Sequence, residues 1–346
     1  MSRKVKVGSV EIGGGNRVAI QTMCNVKTSK IAEVIKQIES FYDLGCDIVR
    51  VSVKDDEDAF ALGKIKREIK IPLVADIHFN YRHALKAIDE GVDKIRINPG
   101  NIGSEENVRQ VALALKNSGV SVRVGSNSGS VEKELLARYG KNEISLAESA
   151  LKNVSVLEKY GVENIVISAK ASSVPLTVKT YEYLAKKTEY PLHLGVTEAG
   201  TESMGVIKSS IGIGSLLLRG IGDTIRVSLT ADPKKEITTA KKILRSIGLD
   251  RDFVEVISCP TCGRTEYDSI GLAEKVEKLT ENIKKPLKVA VMGCVVNGPG
   301  EAKDCDLGIA GGNGVCAFFR GGEIYKKVPF EKAEEEFLKE IEKLVR

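Results

Sequence analysis

With 346 residues, 42% of them apolar, and a formal net charge of +5, the chain is long enough for one large domain with its own core plus a smaller one. The absence of Trp, the few aromatics and the lack of any Lys/Arg block argue against base-stacking platforms and basic tails, so no nucleic-acid partner is expected. The opening "MSRKVKVGSVEIGGG" has no apolar signal core and no apolar run reaches a membrane span, so the expectation is a cytoplasmic chain with no membrane partner.

Short β-branched runs then recur between helical patterns. They are "RVAIQTM" (17–23), "DIVRVSV" (47–53), "PLVADIH" (72–78), "KIRINPG" (94–100), "SVRVGSN" (121–127), "NIVISAK" (164–170), "LHLGVTE" (192–198) and "DTIRVSL" (223–229). The segments between them, such as "IAEVIKQIESFYDLG", carry apolar residues at helical spacing. A strand followed by a helix, repeated eight times, predicts a parallel (β/α)8 barrel of the α/β class, a TIM barrel. No Gly-x-Gly-x-x-Gly follows an early strand, which weakens the doubly wound alternative. "VEKELLARY" reads as an extra helix after the fifth strand, and "GIGSLLLRGIGD" (212–223) as a close-packed helix that turns into the eighth. Asp232 and Pro233 suit the start of the last barrel helix, which runs out at Gly248. The domains expected are therefore 1–250 and 251–346.

Most of these strands end in polar residues where a buried strand would stay apolar. The residues are Arg50, Asp76 with His78, Arg96 with Asn98, Arg123 with Asn127, Lys170, and Arg226 with Ser228; Glu198 closes another. In a parallel barrel all strand C-termini open on one face, where sites are built. Five cations meeting there, with Asp76 and Glu198 as the acids at equivalent positions, predict a phosphorylated or diphosphorylated substrate. A rim salt bridge explains any one of these residues, but not the set.

Beyond residue 252 the pattern becomes that of a small α+β domain. A helix is predicted through "SIGLAEKVEKLTENI", with Ile270, Leu272, Val276, Leu279 and Ile283 as its apolar face. Strands "LKVAVMG" and "DLGIAGG", a hairpin in "VCAFFRGGEIYKKV" and a closing helix with Phe330, Ala333, Phe337, Ile341 and Leu344 on one face follow. The seven cysteines are an odd number, and Cys259 and Cys262 in "SCPTCGRTEYD" have the spacing of metal ligands rather than of a disulfide. Cys294, in "GCVVNGPGE", offers a third thiolate at a strand end. Structural zinc would want a second cysteine pair or paired histidines, and neither follows. Three thiolates plus a different ligand point to an iron–sulfur centre, with Cys305, Cys316, Glu301 and water as candidates for the fourth place. Cys24, Cys46 and Cys316 read as small buried hydrophobes, and Cys305 is read the same way.

"ADIHFNYRHALKA", "KIRINPGNIG", "HLGVTEAG", "SSIGIGSLLLRGIGDTIRVSLTADP", "SCPTCGRTEYD" and "GCVVNGPGEAKD", in this order, resemble the 4-hydroxy-3-methylbut-2-enyl diphosphate synthases of the methylerythritol phosphate isoprenoid pathway. The resemblance spans the chain. It implies a TIM barrel followed by an iron–sulfur domain, and two-electron reductive opening of 2-C-methyl-D-erythritol 2,4-cyclodiphosphate with loss of a hydroxyl. It also implies one [4Fe-4S] cluster per chain on Cys259, Cys262, Cys294 and Glu301. By the same resemblance the diphosphate falls to Arg50, Arg96, Arg123, Lys170 and Arg226, with Asn127 and Ser228 beside them. Glu198 would assist proton transfer, and Asp76, His78 and Asn98 would line the same mouth. Reduced ferredoxin or flavodoxin is implied as electron donor, and a homodimer in which one cluster domain covers the partner's barrel. Where such sequences usually carry Ser and Thr, this one reads "QTMCN", which puts Cys24 near the mouth and suggests oxidation sensitivity there. The rival readings are a pterin-type barrel with a merely structural metal, and an electron carrier that leaves the rim cations unexplained.

Overall fold

The computed structural model describes residues 1–294, 300 and 302–346. Two compact units divide the chain, Met1–Leu249 and Asp250–Arg346.

In the first unit every expected strand segment contributes a strand. They are β3 (Ala19–Met23), β4 (Ile48–Val53), β5 (Leu73–Ile77), β6 (Lys94–Ile97), β7 (Ser121–Asn127), β8 (Ile165–Lys170), β9 (His193–Leu194) and β10 (Thr224–Ile225). All pair in parallel in the order β8-β7-β6-β5-β4-β3-β10-β9, and a parallel bridge from Ile167 to Leu192 joins the two ends into a barrel. Alternation along each strand sorts the side chains. Val49, Val51, Ile95, Ile97, Val122, Val124, Ile165 and Ile167 face outward and join the core shared with the helices. The extra helix is present at Lys133–Tyr139. In the helix Pro233–Ser246, Asp232 caps by accepting from Lys234 N–H at 2.9 Å.

A short hairpin precedes the barrel and was not anticipated: β1 (Val5–Val7) and β2 (Val10–Ile12). Its Val5, Val7 and Ile12 pack against inward-facing Ala19, Ile48, Val74 and Val166 and close the barrel's N-terminal end. Burying each of these apolar side chains contributes about 2 kcal/mol. Above this apolar floor the barrel interior turns polar, unlike the branched aliphatic layers usual in such barrels.

The seventh and eighth strands are shorter than expected. Each pairs for two residues only, and Glu198 lies in a bend rather than at a strand end. Just past β9, Gly195 is tightly enclosed: a Cβ there would stand 2.6 Å from the Arg226 carbonyl oxygen and 2.7 Å from Lys170 Nζ. The Lys170 side chain crosses this backbone, so no side chain fits at Gly195.

The second unit is a five-stranded sheet: β11 (Val254–Ser258), β12 (Leu287–Met292), β13 (Leu307–Gly312), β14 (Val315–Arg320) and β15 (Glu323–Pro329). The first three are parallel, and β13, β14 and β15 are antiparallel neighbours. Leu272 and Val276 of the helix Ser269–Thr280 and Ala333, Phe337 and Ile341 of the closing helix Phe330–Val345 cover one face. Strand β11 was not anticipated: "VEVIS" has three apolar residues in five, with Glu255 and Ser258 exposed, and so makes only a weak strand signal. The apolar face expected for the first helix needs correction: Ile270 and Leu279 are 57% and 38% exposed. The buried stripe runs Leu272–Val276–Thr280, with the Thr280 hydroxyl donating to the Val276 carbonyl at 2.8 Å.

Candidate functional site

Register assembles the barrel mouth. Arg96 of β6 stands opposite Asp76 of β5 on one side and Arg123 of β7 on the other. Asp76 Oδ1 takes an ion pair from Arg96 Nη1 at 3.2 Å, and its Oδ2 lies 3.7 Å from Arg50 Nε. Burial pushes the Asp76 carboxyl up, but Arg50, Arg96 and Arg123 together outweigh it and hold the group below its ordinary value. Arg50 also donates to Met23 Sδ from Nε and Nη2, at 3.1 and 3.0 Å. Burial, then Arg226 and Arg96, bring its guanidinium down to about 10 against the pull of Asp76.

Arg123 is 2% exposed, and its Nε and Nη1 find no hydrogen-bond partner among the described residues. Burial and then Arg50 and Arg96 disfavour its charge. Lys170, also buried, is depressed by burial first and then by Arg123, Arg226, Arg50 and Arg96. The five cations therefore lie within one another's field.

The sequence reading missed the acid that answers Arg226. Glu236, 4% exposed on the helix Pro233–Ser246, accepts from Arg226 Nη2 at 3.1 Å and Nε at 3.3 Å. It also accepts from Thr22 Oγ1 at 2.8 Å and Leu229 N–H at 3.1 Å, tying the helix to β3. The signal was present: Glu236 shares its helical stripe with Ala240, Ile243 and Leu244, where a carboxylate needs a buried partner. Two buried carboxylates, Asp76 and Glu236, thus face five cations among the described residues.

The remaining expected residues sit less uniformly. His78 is exposed just beyond β5, two residues from Asp76. Asn98 accepts from Gly100 N–H at 3.1 Å and so starts the turn after β6. Asn127 ends β7 exposed, with its N–H donating to Ser130 Oγ at 3.3 Å, and Ser228 is half-buried past β10. Glu198 is exposed and has φ of 51°, a left-handed conformation that costs a glutamate strain. Its loop is held on either side by Thr197 N–H to Ala171 O at 3.2 Å and Thr230 N–H to Gly200 O at 3.0 Å.

Below this rim lies a second polar tier that the sequence reading passed over. Lys94, two residues before Arg96 on the same face of β6, is fully buried, and its Nζ has no partner among the described residues. Burial, then Arg123 and Arg50, bring the amine down to about 7. His193 is fully buried too, with Nδ1 2.7 Å from Thr224 Oγ1 and Nε2 unpartnered. Burial and then Lys170, Arg123, Lys94 and Arg50 hold its imidazole neutral. Both polar atoms of the Gln21 amide also lack a partner among the described residues. The "KIR" alternation, charge at i and i+2 within a strand, was the legible sign of Lys94.

Cys24, near this mouth, is buried, and burial followed by Cys46 pushes its thiol up to about 12. That holds it protonated and works against the oxidation sensitivity expected of it.

In the second unit, Cys259 and Cys294 are half-buried and Cys262 is exposed. Gly293 N–H donates to Cys259 Sγ at 3.0 Å, which brings the two loops together. The Arg264 side chain bonds both Cys262 and Cys294, and its backbone and then its side chain pull the Cys262 thiol down. Cys259 and Cys294 thus follow the C-terminal ends of adjacent β11 and β12, with Cys262 in the same loop as Cys259, and Arg264 favours the thiolate of Cys262. Cys316 is buried in the main core, and Cys305 packs on the opposite face with Ala290, Met292 and Phe319. Burial pushes these two thiols up to about 12 and about 11. Glu301, the fourth ligand implied by the resemblance, lies outside the described residues. No three His, Cys, Asp or Glu side chains among the described residues close on a single point, as ligands of one lone ion do. Loops that carry separate thiolates suit a cluster, which spreads its cysteines over different irons.

Comparison with known proteins agrees with this division. Residues 2–241 match the GcpE TIM-barrel domain and residues 255–343 the GcpE protein C-terminal domain. A relative from Caldanaerobacter subterraneus subsp. tengcongensis, called 4-hydroxy-3-methylbut-2-en-1-yl diphosphate synthase (flavodoxin), is 56% identical over 100% of this chain and 98% of its own length. A relative of the same name from Clostridium perfringens is 55% identical over 99% of this chain and 98% of its own. Among solved structures, the Yersinia pestis dihydropteroate synthase superposes with a TM-score of 0.51 at 12% identity, covering 72% of this chain and all of that one. A Thermotoga maritima phospho-2-dehydro-3-deoxyheptonate aldolase gives 0.51 at 12% identity, over 71% of this chain and 72% of that one. Those structural likenesses establish the barrel alone. The matches along the whole chain establish more: the chain belongs to the GcpE family.

Proposed function

We propose that this chain is a flavodoxin-dependent oxidoreductase of isoprenoid precursor biosynthesis. It converts 2-C-methyl-D-erythritol 2,4-cyclodiphosphate into (E)-4-hydroxy-3-methylbut-2-enyl diphosphate, taking up two electrons and two protons and releasing water. Its relatives carry the synthase name over their whole length. The observation that carries the reading is the barrel mouth, where five cations face two buried carboxylates and Arg123 has two unpartnered nitrogens. Such an excess of buried positive charge is stabilised by a polyanion, and guanidiniums suit forked binding of phosphoryl oxygens.

On this reading Arg50, Arg96, Arg123, Lys170 and Arg226 hold the diphosphate, aided by Asn127 and Ser228. Asp76 keeps Arg50 and Arg96 in place, and Glu236 does the same for Arg226. His78 and Asn98 border the substrate, and Glu198, fixed in its strained loop, delivers a proton to the carbon skeleton. Cys259, Cys262 and Cys294, with Glu301 seven residues after Cys294 in sequence, hold one [4Fe-4S] cluster. When bound, such a cluster supplies electrons one at a time. Reduced flavodoxin, or ferredoxin, recharges it. The assembly is a cytoplasmic homodimer in which one C-terminal unit covers the partner's barrel.

The test is binding of the cyclodiphosphate to the full-length protein. Arg123→Met weakens it by about a hundredfold, the scale of one charge-assisted bidentate contact. Unchanged affinity in that variant removes the diphosphate from this mouth.

A further inference from the structure

Beneath the rim, Lys94 Nζ, His193 Nε2 and the Gln21 amide, without hydrogen-bond partners among the described residues, enter the barrel from three separate strands, and all three residues are at most 1% exposed. The charged groups that act on Lys94 are Arg123 from β7 and Arg50 from β4, with Asp93 just before β6, while His193 from β9 stands near as a neutral ring. Its register neighbours, Val74 of β5 and Ser121 of β7, bring no charge. Asp93 is already committed, accepting from Lys66 Nζ at 2.6 Å and Leu73 N–H at 2.7 Å. Among the described residues, then, no carboxylate pairs with Lys94, and the Asp93 charge is outweighed by burial and by two guanidiniums.

We propose that Lys94 takes up one proton from solvent as a diphosphate settles on the rim above it, so that substrate binding and proton uptake are coupled. This rests on the diphosphate reading of the mouth. The physical reason is charge balance in a low dielectric. With only cations overhead, an ammonium at this depth is repelled and desolvated; an anion on Arg123 reverses the sign of the field it feels. Burial alone explains why the amine gives up its proton, but only the position of Lys94 under Arg123 and Arg50 explains why a ligand would return it. Lys94 then acts through the field and not by contact, as a charge-compensating residue of the site.

The sign sets a pH window. Below about 7 the amine is already protonated and uptake vanishes; above that, uptake approaches one proton and affinity falls by up to tenfold per pH unit. The experiment is calorimetric titration of the full-length protein with inorganic pyrophosphate and with the cyclodiphosphate at pH 8, in two buffers of different ionisation enthalpy. Wild type is expected to take up close to one proton per site more than a variant without the Lys94 amine, whatever Lys170 contributes to both. Lys94→Met, which removes the buried amine and keeps an unbranched side chain, is expected to bind more weakly and to lose that proton. Lys94→Arg, permanently charged, is expected to bind without that proton, which separates a charge role from a packing role. Binding without uptake in wild type, or uptake as large in Lys94→Met as in wild type, overturns the role of Lys94 and leaves the diphosphate reading standing. Failure of wild type to bind either ligand overturns the diphosphate reading, and this proposal with it.

Discussion

Removing the Glu236 carboxylate should do more damage than its position on an outer helix suggests. The group is 4% exposed and accepts four hydrogen bonds, two from Arg226, one from Thr22 and one from Leu229 N–H. Glu236→Ala leaves Arg226 among like charges with no acid, and it orphans a backbone donor. Breaking a buried pair from one side costs about 3–5 kcal/mol. In a unit the size of this barrel that corresponds to a fall of roughly 6–20 °C in the barrel's unfolding transition. Glu236→Gln keeps one carbonyl acceptor, enough for Leu229 N–H, while its NH2 can only donate, to the Thr22 hydroxyl, and it should lose about half as much. Differential scanning calorimetry of the full chain measures both. The control is Glu33→Ala, whose ion pair with Lys30 is exposed and should matter by about 0.5 kcal/mol or less. A Glu236→Ala variant no less stable than Glu33→Ala would refute the claim that this carboxylate anchors the cationic mouth.

Other outcomes follow from the same geometry. Lys94 has a folded pKa near 7 against an ordinary 10.5, so between these values the unfolded chain binds the proton and the folded chain does not. Stability should therefore fall as pH drops from about 10 to about 7 and level off below, by about 5 kcal/mol at most; Lys94→Met should flatten that slope in denaturant titrations, and an unchanged slope would contradict it. Gly222→Ala should cost about 2 kcal/mol or more, because φ is 117° there and the new Cβ would stand 2.3 Å from Leu194 Cδ1; wild-type melting would disprove the clash. Cys262→Ser should abolish iron and acid-labile sulfide after anaerobic reconstitution, whereas Cys316→Ala should keep both and lose only stability, by about 1–2 kcal/mol. The reverse pattern would reassign the ligands.

How far the sequence carried these conclusions depended on the kind of signal. The eight strands were legible because β-branched runs alternate with helical spacing, and the inward cations were legible because charge in a buried strand breaks its pattern. Glu236 was not seen, since a helix carboxylate is ordinarily solvated and only the register of "KKEITTAKKIL" against its apolar stripe marks it as buried. Lys94 escaped for a related reason: attention to strand ends favoured the rim, and its deeper partner at i−2 points the same way. The hairpin at 5–12 has strands of three residues each, too short for periodicity to register. The tight enclosure of Gly195 by Lys170 and the Arg226 carbonyl is a long-range contact that no local pattern encodes. In the C-terminal unit the cysteine spacing identified the thiols that follow β11 and β12, while solvent exposure separated them from Cys305 and Cys316.

Electrons and a diphosphate have to meet in this molecule. The reaction itself is the most direct trial: anaerobically reconstituted protein, reduced flavodoxin and isotopically labelled cyclodiphosphate, with the products read by NMR. The expected spectrum is that of the linear hydroxymethylbutenyl diphosphate, formed at the expense of two electrons per ring opened. Intact cyclodiphosphate, or a ring opened with its hydroxyls all retained, would contradict the account.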